Sequence, residues 1–140
     1  MANINVARVI GGGLVAGVVY NVGEAVLNMA VLARANEDLI KRFGVPPIGG
    51  ELMVKSGVLM LALGILNVFL YAAIRPRFGA GPRTALVSGG IVWALAFLNL
   101  GLWFDWLGFL PTGPTAVAIT WQLAEALLAS LAGAWLYREA

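Results

Sequence analysis

The sequence predicts an all-α fold: an integral membrane four-helix bundle with a short amphipathic interfacial helix between the first and second spans. Three observations carry this. Of the 140 residues, 61% are hydrophobic and 11% charged, and mean hydropathy is +0.89, which is more apolar surface than a soluble domain hides. The apolar residues fall into four stretches, each of the roughly 20 residues a helix needs to cross about 30 Å of hydrocarbon. Those stretches lack the two-residue alternation of a barrel, and in lipid every backbone N–H and C=O must be paired internally, so helices remain. The chain reads as one transmembrane domain, 1–140.

The first span is expected over 6–34. Arg8 before an apolar run, with Ala33-Arg34-Ala35 later, has the outline of a signal peptide, but Asn21 and Glu24 interrupt the run and favour a retained helix. In the connection that follows, Asn36 is placed to cap, Glu37 and Asp38 to fill a first turn, Lys41 and Arg42 a last turn, and Gly44 to end it. A short interfacial helix is therefore expected over 36–43. Pro46, Pro47, Gly49 and Gly50 separate it from the second span, 51–75. Pro76, Gly79, Gly81 and Pro82 precede the third, 83–107, and Pro111, Gly113 and Pro114 precede the fourth, 114–138.

Orientation follows from basic residues in short loops. The loop Arg75-Pro76-Arg77-Phe78-Gly79-Ala80-Gly81-Pro82-Arg83 carries three Arg and no acid and is expected in the cytoplasm, with Arg8 and Arg138 on the same side. The first loop argues partly the other way, with Arg34, Lys41, Arg42 and Lys55 spread among Glu37, Asp38 and Glu51. Arg75, Arg77 and Arg83 suit anionic lipid headgroups; without a GxxxxGK[ST] pattern or a preceding strand they do not read as a nucleotide site. Trp103, Phe104 and Trp106 with Trp121 are expected at one membrane boundary, and Tyr71, Trp135 and Tyr137 at the other.

Composition also narrows the chemistry. Nine Lys and Arg stand against seven Asp and Glu, and the basic residues gather at segment ends, which disfavours a nucleic-acid partner. There is no Cys and no His, so disulfides, thiolate metal sites and imidazole ligands are excluded, and no metal or cofactor is expected. No nucleophile stands beside a base and no acid pair sits at an interface, so the chain is not expected to be an enzyme.

What remains is polarity inside the spans. The first carries Gly13, Gly17, Asn21, Glu24 and Asn28 along one face, and the fourth carries Ala118, Gln122, Glu125, Ala129 and Gly133. The two stripes are expected to meet. Asn21-Val22-Gly23-Glu24 parallels Gln122-Leu123-Ala124-Glu125, in each case an amide, a small residue and a carboxyl. The second and third spans share another pattern: Ser56-Gly57 precedes Leu66-Asn67 as Ser88-Gly89 precedes Leu98-Asn99. This pairs the first span with the fourth and the second with the third, which is not the order a duplication gives, and convergent membrane composition explains it.

No Lys or Arg lies at the depth of Glu24 and Glu125, and an isolated carboxylate there is very costly. Each is expected to be protonated and bonded to Asn21, Asn28, Gln122 or Asn99, or the two to share one proton. The cluster then acts as interhelical glue or, if water reaches it, exchanges a proton or binds a cation. Gly13 and Gly17 form a small-xxx-small motif serving packing within the bundle or a dimer seam. Tyr20 and Trp93 lie deep enough to line a pocket, with the Tyr20 hydroxyl placed to reach the cluster.

The stretch from Leu70-Tyr71-Ala72-Ala73-Ile74-Arg75 to Arg83-Thr84-Ala85, Gly12-Gly13-Leu14-Val15-Ala16-Gly17 with Asn21 through Asn28, and Leu131-Ala132-Gly133-Ala134-Trp135-Leu136-Tyr137 together resemble an uncharacterised family of small bacterial four-helix membrane proteins. The resemblance covers nearly the whole chain and implies a bacterial inner membrane, but no activity. Four helices with an acid in the first are also similar to the small multidrug resistance exporters, in which that Glu binds protons and cationic drugs. This chain departs from them in its length, its amphipathic first loop and its second intramembrane acid, so that likeness is superficial. The functional expectation is a non-enzymatic membrane protein acting by association, as a homo-oligomer or an accessory subunit of a larger membrane complex, in contact with membrane lipids. The alternatives are a small proton-coupled transporter or channel using Glu24 and Glu125, and a lipid- or pigment-binding module.

Overall fold

The computed structural model describes residues 4–137, and among these there is no strand. Helix α1 runs Val6–Val31 and finishes in a π turn, Leu27–Val31. Then come α2, Ala33–Phe43, α3, Gly50–Phe78, α4, Pro82–Trp106, with a second π turn at Ala94–Leu98, and α5, Thr112–Leu136. Helices α1, α3, α4 and α5 are each long and apolar enough to cross a membrane, the architecture of a multi-pass membrane protein.

Helix ends follow local chemistry, and several differ from the sequence reading. Asn5 caps α1 by accepting from the Arg8 N–H at 3.1 Å. Helix α2 starts at Ala33 rather than Asn36, because the Asn36 side chain turns back onto α1 instead of capping. It ends as expected at Gly44, whose φ of 62° is the left-handed C-terminal conformation glycine takes most readily. Helix α3 continues through Pro76 to Phe78 and stops at Gly79, φ 84°; the proline removes one backbone bond from the last turn without breaking the helix. Helix α5 starts at Thr112, ahead of Pro114, where the first-turn N–H groups lack intrahelical partners in any case. The expected end of the last span at 138, and Arg138 itself, lie outside the described residues.

Helix α1 packs against α3 and α5, α4 packs against α5 and α3, and α3 and α5 also touch. Two adjacent glycines let α1 serve two neighbours. About 100° apart on the helix, Gly13 presses on the Ile65 backbone of α3, while Gly12 presses on the Gly133 carbonyl of α5. Between those directions Ala16 and Tyr20 are fully buried. The core is built largely from small residues, Ala16, Ala72, Ala85, Ala126 and Ala129, while Leu95, Val54 and Leu66 face outward. That distribution suits lipid, where close backbone approach replaces the hydrophobic drive for association.

Each end of the molecule is tied. At one, the Tyr137 ring meets Tyr71 edge-on at 6.0 Å, its hydroxyl accepts from the Asn5 N–H at 3.4 Å, and Tyr71 accepts from the Gly81 N–H at 3.2 Å. The start of α1, the α3–α4 turn and the end of α5 therefore share one end. At the other, Arg42 of α2 donates to Gly108 O at 3.1 Å, and Phe43 meets the Phe109 ring edge-on.

Candidate functional site

Where α1 leaves the close packing of its glycine-rich half, its polar residues reach α5. Gln122 of α5 donates to Glu24 Oε1 at 2.7 Å, and Asn28 donates to Glu24 Oε2 at 2.8 Å. Asn36 of α2 then donates to Asn28 Oδ1 at 3.2 Å and to its main-chain carbonyl at 3.1 Å. The result is a continuous run, Asn36 to Asn28 to Glu24 to Gln122, joining α2 to α5 through the π turn of α1. Such turns recur at functional sites because they displace side chains from the regular helical register.

Glu125 takes no part in this run. It is 4% exposed, and neither carboxyl oxygen has a hydrogen-bond partner of good geometry. The carboxyl lies against Gly23, where any Cβ would meet it. The Trp121 indole N–H, on the same wall, donates instead to Gly23 O at 3.2 Å. The expectation that Glu125 bonds to Asn21, Asn28, Gln122 or Asn99 is thus corrected.

Two other predicted members stand elsewhere. Asn21 donates to Gly17 O at 2.9 Å and to Gly57 O at 3.1 Å, so it joins α1 to α3. Gly17 faces Leu61 of α3, and the stripe Gly13, Gly17, Asn21 therefore packs on α3, not on α5. Asn99 is exposed on the outer face of α4 and belongs to no cluster. In the α5 stripe, Gly133 meets Val68, Gly12 and Ala16, Ala129 is fully buried, and Ala118 lines a shallow cleft with Phe97 and Gln122.

A second polar cluster, which the sequence reading missed, lies in the core. Asn67 of α3 is fully buried and donates to the Tyr20 hydroxyl at 3.0 Å. The Ser88 hydroxyl of α4 lies 2.9 Å from both the Asn67 Oδ1 and its main-chain carbonyl. Nearby, Ser130 of α5 donates to Ala85 O at 2.6 Å. Tyr20 thus points its hydroxyl at Asn67, and Trp93 binds Ile119 O at 2.9 Å. The available signal was Asn67 itself, an amide deep in an apolar span.

The aromatic and basic residues divide similarly. Trp121 is half-buried, its indole N–H turned to Gly23 O, whereas Trp103 and Trp106 face outward. Arg75 folds over the Tyr137 ring, 5.7 Å from its centroid, while Arg77 and Arg83 are exposed. Comparison with protein-family models, with curated proteins and with solved structures finds no match for this chain.

Proposed function

We propose that this chain is a non-enzymatic four-helix membrane bundle that acts by association, first of all with a second copy of itself. The observation that carries this is Asn99. On α4, Ile91, Leu95, Asn99 and Trp103 recur every fourth residue and are all exposed, forming one apolar outer stripe with a single amide in it. An amide facing acyl chains lacks hydrogen-bond partners, and Asn both donates and accepts, so two copies satisfy each other across a twofold axis. One polar residue in an apolar seam also sets register.

Copies inserted the same way place identical stripe positions face to face. The native chain has no Cys, so Leu95→Cys introduces a single reporter. Oxidation in membranes is expected to give a disulfide-linked dimer, and Asn99→Leu is expected to lower the dimerisation constant about fivefold, equivalent to roughly 1 kcal/mol. Native mass measurement in mild detergent separates a homodimer from a larger complex; a monomer under all conditions overturns the reading.

The same proposal places the protein in a bacterial inner membrane, with both termini and the Arg75–Arg83 turn cytoplasmic and Arg77 and Arg83 among lipid headgroups. Helix α2 then lies at the opposite boundary as an amphipathic interfacial helix: Leu39 and Ile40 are half-buried while Arg34, Glu37, Asp38 and Lys41 are exposed. A second reading, a proton-coupled transporter, is favoured by the polar run from Asn36 to Glu24. It requires proton-linked flux in vesicles that Glu24→Gln abolishes, whereas association survives that change.

A further inference from the structure

Between α1 and α5 lies a lateral groove of about 450 Å³ lined by Val18, Val22, Gly23, Trp121, Ala124 and Leu128, with Glu125 along its floor. Its size is that of small-molecule sites, which typically combine apolar walls with a few fixed polar groups. Here the polar group is a carboxyl without a well-aligned donor: both Glu125 oxygens are buried and make no hydrogen bond of good geometry, and the neighbouring Trp121 indole N–H, though close to the carboxyl, is directed at Gly23 O. Glu125 stands near the middle of α5, Thr112–Leu136, where phospholipid headgroups do not reach and water is scarce.

We infer that this groove binds a lipid-soluble ligand whose apolar body fills the space between Val18, Val22 and Leu128 and whose single hydrogen-bond-donating head supplies the partner Glu125 lacks. Gly23 makes this possible. With no side chain, it lets the carboxyl lie buried directly against the α1 backbone beside the groove, and the donor reaches it once the Glu125 side chain turns outward. Trp121 contributes a flat wall against which a ring or chain packs. The shared chemistry is the donor, carried by a phenolic or alcoholic hydroxyl or by an ammonium group; a buried carboxyl left unpaired gains most from such a donor. The inference does not rest on association through α4, which contributes no residue to the groove.

The test is equilibrium binding to the full chain in detergent micelles, with a long-chain alkylphenol, its methyl ether and an alkylamine of equal length as probes. The phenol is expected to bind at least tenfold more tightly than the ether, which has the same body and no donor. Glu125→Leu is expected to bring phenol and ether within about threefold, because leucine keeps the bulk and removes the acceptor. Ala124→Phe, which fills the groove from its exposed wall, is expected to weaken both probes, and Leu95→Cys, remote from the site, neither. A stronger amine than phenol identifies the head as cationic within the same class. Equal binding of phenol and ether by the native chain, or discrimination that survives Glu125→Leu, overturns the inference and leaves dimerisation untouched.

Discussion

Ser88 of α4 places its hydroxyl 2.9 Å from both oxygens of Asn67 on α3, and Asn67 in turn donates to Tyr20 of α1. Three spans are thereby joined through one amide at a place where all three side chains are fully buried. Replacing it by Asn67→Leu strands the Tyr20 hydroxyl in an apolar core and leaves Ser88 only the main-chain carbonyl of residue 67. Thermal unfolding in detergent is expected to show a loss of about 1–3 kcal/mol. Removing all three polar groups together, Tyr20→Phe, Asn67→Leu and Ser88→Ala, leaves nothing unpaired and is expected to recover part of that loss. Asn99→Leu, by contrast, is expected to leave the unfolding of the monomer within about 0.5 kcal/mol.

Close backbone contact gives a second expectation. A Cβ on Gly13 would run into the Ile65 backbone, and one on Gly64 into the backbone of Gly13 and Gly17. Gly64→Ala is expected to push α1 and α3 apart and cost about 1–3 kcal/mol. Gly11→Ala, where nothing lies within 4 Å, is expected to be neutral or slightly stabilising, since alanine is the better helix former. The pair compared by unfolding in the same detergent distinguishes lost contact from a general intolerance of α1 to substitution.

The four spans were legible from hydropathy and breakers because lipid leaves the backbone few options. Which face of each span turns inward was not, since a span is apolar all round and periodicity carries little signal. Ser56 to Asn67 and Ser88 to Asn99 repeat the same spacing, yet the structure bonds Asn67 to Ser88 and leaves Asn99 and Ser56 outside. The polar stripe of α1 likewise divides: Asn21 turns to α3 and Glu24 to α5, and the adjacent Gly12 and Gly13 fix the two packing directions between which α1 lies. Proline placement misled for a related reason, since Pro76 and Pro114 sit in terminal turns, where a missing N–H costs little.

Glu24 and Gln122 form a pair whose exchange can be tested. Gln122→Leu removes the donor to Oε1 and is expected to destabilise the chain by about 1–2 kcal/mol. Glu24→Gln is expected to cost less, because the Gln122 amide can turn over and present its oxygen to the new amide. The exchanged variant, Glu24→Gln with Gln122→Glu, keeps one amide and one carboxyl across the same gap. It is expected to lie nearer the native chain than the sum of its single changes, and a double-mutant cycle in which the two changes simply add would show that the contact carries no coupling.

Helix α2 is held at two places that pull on different partners. Asn36 fastens it to Asn28 in the π turn of α1, and Arg42 fastens its last turn to Gly108 in the α4–α5 connection. Hydrogen exchange of the α2 amides reports how often it lifts away. With each tether contributing roughly 1 kcal/mol, Asn36→Ala and Arg42→Ala are each expected to speed exchange about fivefold, and both together about twenty-five-fold. Because Asn36 bonds to the residue that bonds Glu24, Asn36→Ala is also expected to speed exchange in the Leu27–Val31 turn, whereas Arg42→Ala is not. Equal effects of the two substitutions on that turn would mean that α2 is held as a single rigid cap and that Asn36 transmits nothing to Glu24.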